Sequence, residues 1–236
     1  MYKKLLVVLA VWFLTCGSAV AASASTITNG FTYSIASGSD QSVGSHFHSS
    51  TGGEYGNPAG LAEVGNYSDE EARGLSEYDL TGMTTASDAY FTFDVYGTGL
   101  FSGVNDFAFD GIIDIVAFQG NNYEDLSDYQ ATITASIDSF STVGIDIGDI
   151  FSFDITSIFN NAITNSWTSL GIMLLTEDTV DYGGAWVFND FRLTSTDDTS
   201  TAPVPEPATM LLFGTGLAGL VARRKKSILK GVVPAT

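Results

Sequence analysis

From residue 90 onward, apolar side chains recur at every second position. Tyr90-Phe91-Thr92-Phe93-Asp94-Val95-Tyr96 places Phe91, Phe93 and Val95 on one face of a strand, and Gly97-Thr98-Gly99 ends it. Ile112 to Phe118 is more continuously apolar and predicts a central strand, while Thr132 to Asp138 alternates cleanly. Val143, Ile145 and Ile147 extend the same pattern, and Ile150 to Ile155 follows Gly148-Asp149. Leu170 to Leu175 and Ala185 to Leu193 close the series, with Tyr182-Gly183-Gly184 between them. Upstream, Phe31-Thr32-Tyr33-Ser34-Ile35 is one more strand that buries its odd positions. Gly38 to Pro58 reads as a long loop, and Asp69-Glu70-Glu71-Ala72-Arg73 as a helical turn with its acids at the N-terminal end. Eight or nine short strands separated by turn residues, with no sustained 3.6-residue period, predict an all-β antiparallel sandwich.

Two apolar stretches break the alternation, one at each end. Lys3-Lys4, the run Leu5 to Leu14 and the small residues Ala19-Val20-Ala21 have the three parts of a secretory signal peptide, with cleavage after Ala21 or Ala22, or at Ala24. Cys16 is the sole cysteine and leaves with that signal, so the exported domain is held by packing, or by packing plus a metal. At the other end, Ala208 to Ala222 carries no charge and precedes Arg223-Arg224-Lys225-Lys226. A helix of that length spans roughly 23 Å, less than a bilayer core of about 30 Å. It is therefore a short transmembrane helix whose basic cluster stays in the cytoplasm. The expected organisation is a signal helix at 1–22, a sandwich at 23–194, a Ser/Thr/Asp/Pro linker at 195–204, a membrane signal at 205–226 and a cytoplasmic tail at 227–236.

The order Pro205-Glu206-Pro207, short apolar span, basic cluster resembles the PEP-CTERM sorting signal of Gram-negative bacteria. The resemblance implies that an exosortase recognises Pro205, Glu206 and Pro207 and cleaves nearby. It implies a protein held first in the inner membrane and then passed to the outer surface or the extracellular matrix. A second resemblance concerns the sandwich. Arg73-Gly74-Leu75-Ser76-Glu77-Tyr78-Asp79-Leu80, followed by Tyr90 to Val95, is similar to the paired strands of DNRLRE-type jelly rolls. Asp154-Ile155-Thr156 is similar to that family's D-V-T segment, which leads into a helical turn and a strand, here Gly171-Ile172-Met173-Leu174. This favours a jelly roll among sandwiches and implies a carbohydrate-binding or matrix role.

Charge narrows the partners. Lys3, Lys4 and the five cations from Arg223 to Lys230 lie in the terminal signals. Only Arg73 and Arg192 then face the twenty-six acids before Pro205, a formal charge near −24 against −18 for the whole chain. Nucleic acid and anionic lipid are repelled by such a surface, whereas divalent cations and neutral glycans are tolerated.

Candidate chemistry is sparse. His46-Phe47-His48 puts two imidazoles on one side of an extended segment, and a metal would need a third ligand, with Glu54 the nearest carboxylate. Solvated loop histidines are the simpler reading. Asp106, Asp110 and Asp114 recur every four residues, Asp146 and Asp149 flank Gly148, and Asn121 to Asp125 ends in paired acids. A structural calcium ion could draw on these oxygens, although none fits an EF-hand loop. Trp186 lies in an alternating strand and reads as core. Trp167 precedes a strand and is the better candidate for stacking on a sugar ring. No hydrolase, metalloprotease, P-loop or dinucleotide motif is present, and no enzymatic activity is expected. The expected function is that of an exported structural or adhesive protein linked to exopolysaccharide. The alternative is a carbohydrate- or calcium-binding jelly-roll module, with a glycan-active enzyme as the third reading.

Overall fold

The computed structural model describes residues 25–38, 42–53, 59–67, 70–99, 107–176 and 184–197. Both terminal signals, Glu54 and Asp106 lie outside these residues.

Eleven strands form an antiparallel, nearly closed sheet: β1 (Thr26–Asn29), β2 (Phe31–Ser37), β3 (Gly44–Ser49), β4 (Ala62–Tyr67), β5 (Glu70–Asp79), β6 (Tyr90–Thr98), β7 (Ile112–Gly120), β8 (Ile133–Ser141), β9 (Ile150–Asp154), β10 (Ser169–Leu175) and β11 (Gly184–Thr194). Among the described residues a 3₁₀ turn occupies Leu126–Gln130, and helix α1 spans Thr156–Thr164. Strands β8-β7-β10-β5-β2-β3 make one layer, and β4-β11-β6-β9, with β1 alongside β11, make the other.

The two layers are one sheet because β4 turns a corner. Ala62 to Asn66 pair with β11, whereas Gly65 to Tyr67 pair with β5, so Gly65 faces Ala185 on one side and Ala72 on the other. Its φ of 155° and the position of Gly184 O, 2.0 Å from where a Cβ would lie, leave room only for glycine. On the opposite side β8 and β9 do not pair. The gap is closed by aromatic packing, with the Phe140 and Phe151 rings 4.4 Å apart.

The main core lies between the layers and collects the alternating positions the sequence predicts. Phe91, Phe93 and Val95 of β6 meet Ile113 and Ile115 of β7, Leu170, Ile172 and Leu174 of β10, and Trp186 and Phe188 of β11. A second cluster covers the outer face of the first layer. Tyr33, Ile35, Leu75, Val116, Phe118 and Met173 are buried there under Tyr129 of the 3₁₀ turn. That explains why β7 and β10 are apolar on both faces.

Three expected elements differ. The segment at 38–58 contains β3, and the helical turn at 69–73 is the start of β5. Glu71 and Arg73 are two residues apart on one strand face, and the arginine holds the carboxylate with Nε at 2.8 Å and Nη2 at 3.2 Å. The ladders that Glu70 to Ala72 make with β4 and that Ala72 and Arg73 make with β2 outweigh the helix preference of Glu-Glu-Ala-Arg. Val143, Ile145 and Ile147 fall in turns rather than a strand, because Gly144 and Gly148 adopt φ of 81° and 94°. The helical turn expected after Asp154 is present as α1, and Asp154 accepts the Thr156 N–H at 2.9 Å.

Candidate functional site

The two histidines meet two carboxylates beside the corner between β4 and β5. Phe47 packs with the outer cluster, so its neighbours His46 and His48 project to the opposite face, toward β4. The rings stand 5.1 Å apart, inclined at 51°. His48 is 2 % exposed, and its Nδ1 lies 3.2 Å from Oε2 of Glu63, itself 3 % exposed. His46 is half-buried. Its Nδ1 lies 2.7 Å from Ser45 Oγ and its Nε2 3.9 Å from Glu70 Oε2. One donor atom from each of His46, His48 and Glu70 falls within 4.8 Å of the other two. This is the arrangement of a three-ligand site with a carboxylate behind one imidazole.

Glu54, the third ligand expected from the sequence, is outside the described residues; the carboxylate found beside the two rings is that of Glu70. The signal was present as Glu70 at the foot of a strand, but reading 69–73 as helical hid its face.

A separate polar cluster organises the loop after β7. Glu77 is fully buried and accepts the backbone N–H groups of Asn121 and Asn122 at 2.9 and 2.8 Å, with the Ser169 hydroxyl at 2.7 Å. Asp128, on the 3₁₀ turn, accepts the Tyr33 hydroxyl at 2.8 Å and the Asp125 N–H at 3.0 Å. Burial pushes the Asp128 carboxyl up to about 6, with the neighbouring Glu77 and Asp125 charges adding to it. Burial likewise raises the Tyr33 phenol, aided by the two carboxylates, so it remains a donor. Arg73 lies 4.0 Å from the Tyr129 ring centroid and donates to Tyr129 O at 2.8 Å. Burial, then Glu71, pushes the Tyr129 phenol up to about 12. Arg192 is held by Asp94 at 3.0 Å and Asp190 at 2.9 Å. Both arginines of the domain are therefore committed to acids of their own chain.

Three of the acids considered for calcium hold other parts of the chain. Asp125 caps the 3₁₀ turn, Glu124 accepts Thr51 N at 2.8 Å and Thr51 Oγ1 at 2.7 Å, and Asp149 accepts Asp146 N at 2.8 Å. Among the described residues no three of them converge as the histidine group does.

Trp186 is core, with Nε1 donating to Phe109 O at 3.0 Å. Trp167 is half-buried and packs against the main core, so only part of its ring is available. An open groove of about 470 Å³ lies elsewhere, lined in part by Asn29, Phe31, Thr51, Asp190 and Phe191.

Pro205, Glu206, Pro207 and the cluster Arg223, Arg224, Lys225 and Lys226 lie outside the described residues, and here comparison with known families decides. Residues 203–226 match the PEP-CTERM protein-sorting motif. The chain is thus an exported protein of the exosortase-sorted kind, held at the membrane before processing. The match covers the tail alone, and no curated protein matches the chain.

Proposed function

We propose that this is a structural or adhesive protein of the cell surface or extracellular matrix, associated with exopolysaccharide. The observation that carries the reading is the sorting motif at 203–226 attached to an acidic β-sandwich. Exosortase cleavage near Pro205-Glu206-Pro207 would separate the tail cations Arg223 to Lys230 from the domain, leaving Arg73 and Arg192 as its basic side chains. Both are already paired, so the released surface is strongly anionic and suited to a hydrated polymer network. The absence of cysteine from the domain removes any dependence on oxidative folding during export. The test is intact mass of the protein recovered from its host. Loss of Arg223 to Thr236 is expected, and a surface protein retaining them overturns the sorting step. Replacement of Pro205-Glu206-Pro207 by alanines should keep the protein in the membrane fraction.

A second reading, glycan binding by the sandwich, is favoured by the open groove beside Phe31 and Asp190. Retention on immobilised exopolysaccharide separates it from a purely structural role. Loss of retention in Phe31→Ala would locate binding in the groove, and loss in Trp167→Ala would locate it at the tryptophan.

A further inference from the structure

We infer that His46, His48 and Glu70 form a binding site for one divalent transition-metal ion of the zinc type, with Glu63 orienting His48 from behind. The distances carry the assignment. Nε2 of His46 and Oε2 of Glu70 are 3.9 Å apart, too far for a hydrogen bond. Two ligands of one tetrahedral zinc ion, with bonds of about 2.0–2.1 Å, stand roughly 3.3 Å apart. The spacing thus leaves room for an ion between them. A third donor atom, on His48, lies within 4.8 Å of both, so the three side chains are already gathered around one position.

The groups behind the two rings fit as well. Glu63 Oε2 meets His48 at Nδ1, which leaves Nε2 as the ligating atom of that ring. Ser45 Oγ engages Nδ1 of His46 in the same way and frees Nε2 toward Glu70. Two neutral imidazoles with two carboxylates carry a charge of about −2, which a divalent ion balances. Glu63 is nearly inaccessible to water, where an uncompensated carboxylate is costly. Two nitrogen donors favour zinc, nickel or copper over calcium and magnesium, which take oxygen ligands. Three protein ligands leave one coordination position open to water or an external donor.

The experiment uses the full chain in mild detergent, with Cys16→Ser to remove the lone thiol, stripped with chelator and dialysed against zinc chloride in excess calcium. Calcium occupies the scattered surface acids, and one zinc per chain is expected to remain. His46→Ala and Glu70→Gln, both at half-buried positions, should each weaken zinc at least tenfold with unchanged circular dichroism. Glu63→Gln should weaken it about 10- to 100-fold, as for other carboxylates that orient a metal-bound imidazole. Cobalt substitution gives a readout independent of stability, with visible absorption shifted from that of hydrated cobalt in the parent and not in His46→Ala. Less than one zinc per chain at about 0.1 mM free metal, weaker than any useful extracellular site, overturns the assignment. So does full zinc retention in the folded His46→Ala/Glu70→Gln double variant.

Discussion

Asp128 offers the most quantitative test of how this fold handles its charge. The carboxyl is 5 % exposed and sits in the folded protein at about 6, against 3.8 for a free aspartate. The folded state therefore binds this proton more tightly than the unfolded chain does. Its contribution is fully favourable below pH 3.8, declines as pH rises, and is lost above pH 6. The shift corresponds to about 3 kcal/mol of stability withheld at pH 7. Asp128→Asn removes the charge. Both hydrogen bonds, from Tyr33 and Asp125, fall on Oδ2, so an amide oxygen in that position retains them. Their ionic character is already contained in the value of about 6, so the variant should be more stable than the parent by about 3 kcal/mol at pH 7, with a midpoint roughly 9 °C higher. At pH 4 the difference should shrink to less than about 1 kcal/mol. Urea denaturation of both proteins from pH 4 to 8 measures this, since the other carboxylates cancel in the difference. A difference that does not change with pH, or a less stable variant at pH 7, would show that Asp128 is comfortably ionised and the reasoning wrong.

Arg73→Met should destabilise the domain by about 3 kcal/mol, because it leaves buried Glu71 without its bidentate partner. The double variant Arg73→Met/Glu71→Gln should recover part of that loss in the same denaturation assay. Removing calcium with a calcium-selective chelator should leave the thermal midpoint unchanged, since Asp125, Glu124 and Asp149 already serve turns and caps. A midpoint that rises with added calcium would instead indicate a structural ion.

The sequence revealed the strands whose alternation coincides with burial on one face. Phe91, Phe93 and Val95 point into the core as their spacing predicts, as do Trp186 and Phe188. It misled where alternation exists without burial: Val143 and Ile147 are 65 % and 68 % exposed, and the adjacent glycines turn the chain before a strand can form. It was silent where a strand buries polar groups. β3 reads Gly-Ser-His-Phe-His-Ser, and only Phe47 supplies an apolar contact, so its strand character depends on pairing with β2. Glu63 and Glu77 look like ordinary surface acids among many, because what buries them comes from strands distant in sequence. The histidine pair was legible as a motif. Its carboxylate partners were not, since they depend on the turn that β4 makes at Gly65.

That connectivity also decides how the domain bears a load. The linker leaves the sandwich through β11, an interior strand bonded along one edge to β6 and along the other to β4 and β1. A pull on the linker along this strand loads the flanking ladders lengthwise, so their hydrogen bonds must yield together instead of peeling one at a time. Forced unfolding is governed by the rate of crossing that barrier, not by equilibrium stability. A chain end joined to an interior strand therefore resists a pull better than one joined to an edge such as β8 or β9.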